Sequence, residues 1–383
     1  MTGIAKTFFP DDRGMPHSRD RPRRSASRAS GAAHEDPERT RSMTNLLAHL
    51  AHLEIASPDV EASVRFFERG FGLREVQRDE DGSVYLRCWG DYYPYSLVVS
   101  PGAQPALVNM AWRTTSEQAL EEAARRVQGK GVEGQWSDKR QGHGRSFRFT
   151  GPYGHTMELY WDVPKHSAPA ELTSIFPDRP EKRSSHAAAP RFLDHVTVAA
   201  TDVKGFAAWY SEVLGFRTMA FTELDHAPVT VFGVLTTNEK SHDLGCVLDS
   251  SQLGGRVNHI AFWTDSHQEL LVAADVLMEN GVDIEYGPSI HGVGEQTFLY
   301  FREPGGMRVE LNTGGYRNYV PDWEPNAWKP SLGSNSIYRN GAMPMSMTES
   351  FPPDPGRPTA TEEGVLPGTE DALLNPYAQQ GQG

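Results

Sequence analysis

The sequence predicts an α+β protein of two related domains, because two long stretches each recur once along the chain. HLEIASPDVEASVRFFERGFGL at 52–73 is similar to HVTVAATDVKGFAAWYSEVLGF at 195–216. VNMAWRTTSEQALEEAARRVQGKGV at 108–132 is similar to VNHIAFWTDSHQELLVAADVLMENGV at 257–282, with one residue inserted. A chain of 383 residues is long enough for two domains of ordinary size.

The first of these repeats predicts a strand followed by a helix. Apolar and polar residues alternate at the start of each copy, which indicates a strand. Asp59 and Asp202 follow at the same spacing and suit the N-cap of a helix. Gly72 and Gly215 follow the helical stretch and fit the left-handed conformation that ends many helices. About three short strands are expected after each helix.

A third similarity closes each domain. GPYGHTMEL at 151–159 matches EPGGMRVEL at 303–311, and in both a proline-containing turn leads into a strand ending in Glu-Leu. We therefore expect one domain at 45–163 and a second at 191–315, each made of two βαβββ modules. Helices on one face of a curved, mostly antiparallel sheet would form a half-barrel whose concave face is lined by alternate strand residues.

Three segments lie outside these domains. Residues 1–43 are rich in arginine, serine and alanine, and they are expected to form a disordered arm or to precede a true start at Met43. Residues 164–190 are rich in proline, serine and alanine and are expected to link the domains. Residues 316–383 contain much proline and glycine without periodicity, which predicts a largely irregular extension.

Composition excludes several classes of partner. The net charge of −13 argues against a surface that binds nucleic acid or an anionic membrane. The sequence has no run of about 18 apolar residues, so no membrane-spanning helix is expected. The two cysteines, Cys88 and Cys246, lack a metal-binding spacing. Two thiols in so long a chain suggest a reducing compartment, and a cytoplasmic location is expected.

His259 stands in the apolar strand GRVNHIAFWTD, where an imidazole is unusual. A lone histidine in a strand is more often a hydrogen-bonded core residue than a metal ligand. The repeat strengthens the second interpretation, because His195 and Glu310 also occupy repeat-matched strand positions. Two imidazoles and one carboxylate form the facial triad that holds non-haem Fe(II) and leaves three positions open.

The first domain differs from the second at one of these three positions. His52 and Glu158 match the first histidine and the carboxylate, but Met110 aligns with His259. A thioether in place of the second imidazole should bind Fe(II) or Mn(II) poorly. The first domain is therefore predicted to be metal-free and the second to hold the ion.

Three further residues in the second domain could take part in chemistry. His242 lies in KSHDLG between two predicted strands, and His291 lies in the glycine-bracketed loop SIHGVG. Tyr300 lies ten residues before Glu310 in the sequence. Taken singly, each of these histidines could equally be a surface loop residue.

Together these residues resemble the extradiol ring-cleaving dioxygenases of the vicinal oxygen chelate superfamily, most closely the catechol 2,3-dioxygenases. The resemblance covers about residues 46–328, including GGYRNYVPDWEPNAW after the last predicted strand. It implies two vicinal oxygen chelate domains, of which the first is a metal-free copy. It also implies a homo-oligomer, often a tetramer.

The resemblance carries specific roles onto this chain. Its Fe(II) ligands, which would also accept Mn(II), correspond to His195, His259 and Glu310. Its acid/base histidine corresponds to His242, and its partners of the substrate hydroxyls correspond to His291 and Tyr300. It implies that a catechol-type ring is opened by O2 beside the diol, giving a 2-hydroxymuconate-semialdehyde-type product in aromatic compound degradation.

Two other classes of function stay open at this point. One is a glyoxalase-like isomerase or an antibiotic-modifying metalloenzyme of the same superfamily, which typically lacks the set His242, His291 and Tyr300. The other is a metal-free binding protein of the same fold, against which the complete triad argues. Metal content and oxygen uptake with catechol distinguish the three.

Overall fold

The structure is a computed structural model, and it describes residues 45–138, 142–184, 187–251, 253–329 and 344–356. The predicted N-terminal arm and much of the predicted C-terminal extension lie outside the described residues. The two predicted domains and the linker between them lie mostly within them.

The first domain contains one eight-stranded sheet and two helices. Its elements are β1 (Leu47–Ser57), α1 (Val60–Arg69), β2 (Arg74–Arg78), β3 (Val84–Arg87), β4 (Leu97–Pro101), β5 (Ala106–Thr114), α2 (Glu117–Gly129), β6 (Gly134–Ser137), β7 (Ser146–Thr150) and β8 (Thr156–Tyr160). The order across the sheet is β2-β3-β4-β1-β5-β8-β7-β6. The β1–β4 and β5–β8 pairs are parallel and the other pairs are antiparallel. Two βαβββ modules are therefore joined at β1 and β5.

The second domain repeats this plan. Its elements are β9 (Phe192–Ala200), α3 (Val203–Leu214), β10 (Arg217–Glu223), β11 (Thr230–Thr236), β12 (Leu244–Leu248), β13 (Val257–Trp263), α4 (His267–Glu279), β14 (Ile284–Ile290), β15 (Gln296–Arg302) and β16 (Arg308–Gly314). The order across the sheet is β14-β15-β16-β13-β9-β12-β11-β10-β17. The last of these, β17 (Asn326–Trp328), lies in the segment predicted to be irregular and pairs parallel with β10. The predicted fold class is confirmed, and the extension adds an edge strand that its composition did not indicate.

Helices α1 and α3 begin where the sequence predicts. Asp59 accepts a hydrogen bond from a backbone amide of the first turn of α1, and Asp202 does the same for α3. Gly215 ends α3 with a φ of 80°. Gly72 also has a positive φ, of 88°, but α1 has already ended at Gly70. None of the helices in the described ranges combines the length and hydropathy needed to cross a lipid bilayer.

One hydrophobic core runs through both domains. The rings of Phe71 and Phe262 meet edge to face with centroids 5.1 Å apart, and those of Trp112 and Phe216 meet similarly at 5.0 Å. All four side chains are buried. Aromatic pairs of this kind add about 0.5–1.5 kcal/mol each beyond the burial of their area. The two domains are therefore packed together through apolar side chains.

A backbone contact between the domains depends on glycine. A Cβ on Gly154 would lie 2.7 Å from the amide nitrogen of Gly255, closer than any side chain tolerates. The close approach lets the Gly255 amide donate to the carbonyl of Tyr153 at 2.8 Å. Next to it, Nε2 of the buried His155 donates to the carbonyl of Arg256 at 2.9 Å.

The linker is fastened to the first domain by one buried carboxylate. Glu181 forms ion pairs with Arg74 at 2.8 Å and with Arg87 at 3.2 Å, and it lies 2.9 Å from Nε2 of His166. Arg87 is fully buried, so losing Glu181 would leave a guanidinium without its counter-charge. The segment is therefore held in place although it contains almost no regular structure.

The interdomain contact at His155 predicts a pH dependence of stability. Burial lowers the pKa of His155 to about 4, against about 6.5 in the unfolded chain. The folded protein then binds fewer protons than the unfolded chain, so the stability is present above pH 6.5 and is lost as the pH falls towards 4. The full difference is on the order of 3 kcal/mol.

We compare the metal-free wild type with metal-free His155→Gln. When the pH is lowered from 7 to 4.5, the melting temperature of the variant should fall less, since glutamine can donate to the same carbonyl without gaining a charge. Thermal unfolding followed by circular dichroism at several pH values measures this. Parallel pH profiles for the two proteins would show that His155 does not link folding to protonation.

Candidate metal centre

The register of the second sheet places the predicted residues His195, His259 and Glu310 next to one another on one face. Ala261 on β13 lies opposite His195 on the neighbouring strand β9 and opposite Glu310 on the other neighbour, β16. His259 lies two residues before Ala261 and shares its face, because side chains alternate along a strand. These are the central strands of the sheet, and all three polar side chains are buried.

The ligand atoms of the three side chains form a small triangle. Nε2 of His195 lies 3.2 Å from Nε2 of His259 and 3.2 Å from Oε2 of Glu310. Nε2 of His259 lies 3.0 Å from the same carboxylate oxygen. Adjacent ligands of one metal ion, with bonds of roughly 2.1 Å at about right angles, lie about 3 Å apart. The spacing therefore fits one face of an octahedral ion.

The carboxylate of Glu310 supports the same interpretation. Among the described residues, neither of its buried oxygens receives a hydrogen bond in acceptable geometry, although imidazole nitrogens lie close by. A buried carboxylate without donors is costly, and a cation bound between it and the two imidazoles removes that cost. The residues present therefore fit a divalent metal ion.

His195 is oriented by an acidic neighbour. Its Nδ1 donates to Oδ2 of Asp194 at 2.9 Å, so Nε2 is the nitrogen that faces the triangle. Lys240 forms an ion pair with the other oxygen of Asp194 at 2.5 Å. Burial opposes a charge on His195, but Glu310 and Asp194 overcome this and raise its pKa to about 9. Without a metal, the site therefore retains a proton on His195.

His259 is oriented by an amide instead. Its Nδ1 lies 2.8 Å from Oδ1 of Asn258. The Asn258 amide nitrogen donates to the carbonyls of Met347 and Glu349, each at 3.0 Å, so the amide oxygen must be the atom that faces the imidazole. His259 therefore donates through Nδ1 and directs a lone pair on Nε2 towards Glu310.

The other three predicted residues lie around this triangle. The ring of His242 lies 4.3 Å from that of His195, measured between centroids. Nε2 of His291 lies 3.1 Å from the Tyr300 hydroxyl and 3.6 Å from Oε1 of Glu310. Tyr300 lies directly opposite Glu310 in the β15–β16 ladder, so both side chains share a face. All six predicted residues are therefore adjacent.

His242 is neutral in this surrounding. Burial, together with the positive charge of the adjacent His195, holds the pKa of His242 well below its usual range. Its Nδ1 lies 3.4 Å from the hydroxyl of Ser241. A buried, neutral imidazole beside a binding site can accept a proton from a ligand and return it.

The register corrects the alignment of the two domains. In the first domain, Ala111 lies opposite both His52 and Glu158, as Ala261 does opposite its two partners. Two residues before Ala111 is Asn109, so Asn109 and not Met110 is the counterpart of His259. The inserted residue of the sequence alignment therefore does not lie within this strand.

Further observations support this correction. Ser116 and Ser266 cap the helices that follow, five residues after the two alanines in each domain. Met110 is buried in the hydrophobic core, as is its counterpart Ile260. Asn109 instead donates through Nδ2 to Oε2 of Glu158 at 3.0 Å. The second imidazole of the metal site is thus replaced by an amide that bonds the carboxylate.

The first domain nevertheless brings two histidines near its carboxylate. His143, which the sequence did not single out, lies with Nε2 3.7 Å from Oε1 of Glu158, and His52 completes the group. Both oxygens of Glu158 already accept hydrogen bonds, from Ser146 and from Asn109. The 3.7 Å between His143 Nε2 and Glu158 Oε1 is longer than the 3.0–3.2 Å between the candidate ligand atoms of the second domain. This group therefore fits a metal ion less well.

Sequence reasoning missed the residues that orient the ligands. Asp194 and Asn258 each immediately precede a candidate ligand histidine, and that shared spacing was the available signal. Phe298, which stacks on His291 with centroids 4.1 Å apart, carried no signal of its own. Lys240 acts through Asp194, and only the fold brings the two together.

Comparison with protein families gives two matches. Residues 192–311 match the Glyoxalase/Bleomycin resistance protein/Dioxygenase superfamily. Residues 109–163 match the catechol 2,3-dioxygenase-like N-terminal domain. The two matches fall in the second and the first domain of the structure respectively.

Individual proteins give longer matches. A manganese-dependent 2,3-dihydroxybiphenyl 1,2-dioxygenase of Geobacillus genomosp. 3 is 35% identical over 75% of this chain and 91% of its own length. A metapyrocatechase of Geobacillus stearothermophilus is 30% identical over 84% of this chain and 97% of its own. The crystal structure of homoprotocatechuate 2,3-dioxygenase from Arthrobacter globiformis superposes with a TM-score of 0.69 at 25% identity, covering 80% of this chain and 92% of that one.

We predict that the first domain does not contribute to metal content. His52→Ala and Glu158→Gln should each leave the metal content at about one ion per folded chain, because the carboxylate there is already hydrogen-bonded. Elemental analysis of the purified, folded variants measures this. Two ions per wild-type chain, falling to one in either variant, would contradict the prediction.

Proposed function

We propose that this chain, which belongs to the extradiol dioxygenases of the Glyoxalase/Bleomycin resistance protein/Dioxygenase superfamily, opens catechol-type rings beside the diol with O2. The product would be of the 2-hydroxymuconate-semialdehyde type, in the degradation of aromatic compounds. The named relatives are dioxygenases, which favours this activity over an isomerase or a metal-free binding protein. The predicted enzyme class is thereby confirmed.

The observation that carries the proposal is the triangle of His195, His259 and Glu310. We assign these three as the ligands of Fe(II), or of Mn(II), which the same ligand set accepts. A bound ion would supply a charge that lowers the pKa of a coordinated hydroxyl, and open positions for both reactants. One relative is named as manganese-dependent and another, from Rhodococcus jostii, as iron-dependent, which supports either metal.

His291 and Tyr300 are assigned to the orientation of the substrate. Their polar atoms lie 3.1 Å apart, and Nε2 of His291 lies 3.6 Å from Oε1 of Glu310, the carboxylate oxygen outside the ligand triangle. An imidazole and a phenol placed together can hold one substrate oxygen in a fixed direction, which gives the largest benefit where water is excluded. Phe298 stacks on His291 and limits the rotation of its ring.

His242 is assigned to proton transfer. Ser241 lies beside its Nδ1, so Nε2 is the atom that would exchange a proton with the substrate. Because the pKa of His242 is held well below its usual range, the imidazole enters the reaction neutral and can accept the hydroxyl proton. The protonated imidazole would then be the acid that returns this proton to an oxygen of the product as it forms.

Two further features belong to the same proposal. The family resemblance supports a homo-oligomer, which sedimentation at several protein concentrations tests. The two cysteines, both free and buried, support a reducing, cytoplasmic location. The acidic net charge supports a small-molecule substrate and no nucleic acid partner.

We expect His259→Ala to abolish metal binding and ring cleavage together, since it removes one of three ligands. The anaerobically purified wild type should hold about one Fe(II) or Mn(II) per chain, and the variant almost none. Elemental analysis and oxygen uptake with catechol measure the two properties. Full metal occupancy in the folded variant would rule out the ligand assignment.

We expect His242→Phe to retain the metal and to bind catechol anaerobically, because the ligand triangle stays intact. Turnover should fall by about 10²–10⁴-fold, the usual consequence of losing a general acid/base. Single-turnover mixing of the metal-loaded variant with O2 and catechol measures the chemical step. A rate within about threefold of the wild type would remove His242 from the mechanism.

A further inference from the structure

A C-terminal segment, residues 344–353, contacts strand β13, which carries His259. We call it the strap. Its Phe351 exchanges two backbone hydrogen bonds with Val257, at 2.6 and 2.8 Å, in an isolated antiparallel bridge. Its Met347 is buried against Phe298 and Tyr300, two residues of the site. The strap therefore contacts both the strand that carries His259 and the wall beside it.

Two buried arginines hold the backbone of the strap against the sheet. Arg308, which is fully buried and paired with Glu285 at 2.8 Å, donates to the carbonyls of Ser346 at 2.5 Å and Glu349 at 2.9 Å. Arg256 donates to the carbonyls of Ser350 and Pro352, at 2.6 and 2.9 Å. Charge-assisted bonds to backbone carbonyls are stronger than neutral ones.

Asn258 is the residue that joins the strap to a ligand. Its amide nitrogen donates to the strap carbonyls of Met347 and Glu349, and its amide oxygen accepts from Nδ1 of His259 at 2.8 Å. Asn258 is 3% exposed, so water does not replace these bonds freely. If the strap dissociated, Nδ2 of Asn258 would lose both of its acceptors. The amide could then rotate, and its oxygen would no longer be held towards the imidazole of His259.

A bulge explains how Asn258 can reach both partners. The ladder between β9 and β13 shifts register between Val257 and His259, so Asn258 is the extra residue. A bulge redirects the side chain of its extra residue. The first domain has the same bulge at Val108, where an apolar side chain makes no such link. The link between strand and strap is therefore specific to the domain with the complete triad.

We propose that Asn258 is a positioning residue that couples seating of the strap to the orientation of His259, and hence to metal affinity. The inference rests on the proposed ligand assignment. A hydrogen bond to the second nitrogen of a ligating histidine sets its tautomer and direction, and losing it typically costs 10- to 100-fold in metal affinity. Because linkage is reciprocal, metal binding must strengthen strap seating by the same factor.

The wild-type protein provides the first test. Hydrogen exchange at the Phe351 amide, and in peptides covering the strap, is measured anaerobically without metal and with saturating Mn(II). We expect Mn(II) to slow strap exchange by roughly 10-fold or more, with little change in the linker around Glu181. Equal strap exchange with and without bound Mn(II) would overturn the coupling.

Two substitutions distinguish the hydrogen bonds from Asn258 to the strap from the hydrogen bond between Asn258 and His259. Asn258→Asp keeps an oxygen for His259 but removes both donations to the strap, so strap exchange should become fast with or without Mn(II). Asn258→Ala removes both links, and Mn(II) affinity, measured by competition with a chelator, should fall by roughly 10- to 100-fold. The effect of Asn258→Asp on affinity should be smaller than that of Asn258→Ala.

Two controls exclude a merely structural role. Asn109→Ala removes a buried strand amide from the first domain and should leave Mn(II) affinity unchanged. Phe351→Ala loosens the strap without touching His259 and should weaken Mn(II) binding together with strap protection. If Asn258→Ala keeps wild-type affinity while the folded strap is lost, the strap is structural and the inference fails. If the wild type binds neither Mn(II) nor Fe(II), the ligand assignment itself fails.

Discussion

The carboxylate of Glu310, buried between the imidazoles of His195 and His259, is the constraint on which the rest of the second domain depends. Its oxygens are removed from water and receive no hydrogen bond in acceptable geometry among the described residues, so a positive charge must compensate them. A divalent ion meets this need and a proton on His195 meets it in part. Neighbouring groups fix the orientation of both imidazoles. Asp194, paired with Lys240, orients His195, and Asn258, bonded to the strap, orients His259.

Comparison of the two domains shows that few substitutions distinguish the candidate metal site from its counterpart in the first domain. Both domains place a histidine and a glutamate on either side of an alanine in the same register. In the first domain Asn109 donates to Glu158 where an imidazole would bind metal, and Ser146 donates to the other oxygen. Neutral donors thus compensate that carboxylate, and the domain keeps a packing role against the second one. The two domains also differ in the strap, because Val108, the counterpart of Asn258, has no polar side chain that could bond such a segment.

Much of the fold and all six proposed site residues could be predicted, because repeats and alternation are properties of the chain itself. Asp59 and Asp202 cap their helices by contacts within three residues, which sequence can specify. The sequence aligns Met110 with His259 because a Val-Asn pair precedes each of them. Pairing between strands, which the sequence does not show, instead matches Asn109 with His259. Strand β17 was missed because three residues at a sheet edge leave no periodic pattern.

The order of residues was enough to predict two related sheets and the residue types of the proposed metal centre, since local patterning and chemical identity are properties of the chain. Which atoms meet depends on how the strands pair and pack. The parallel pairing of β13 with β16 places Glu310 against histidines far from it in sequence, and the strap reaches His259 from beyond residue 343. Such contacts depend on register and on long-range packing, which no short stretch of sequence specifies.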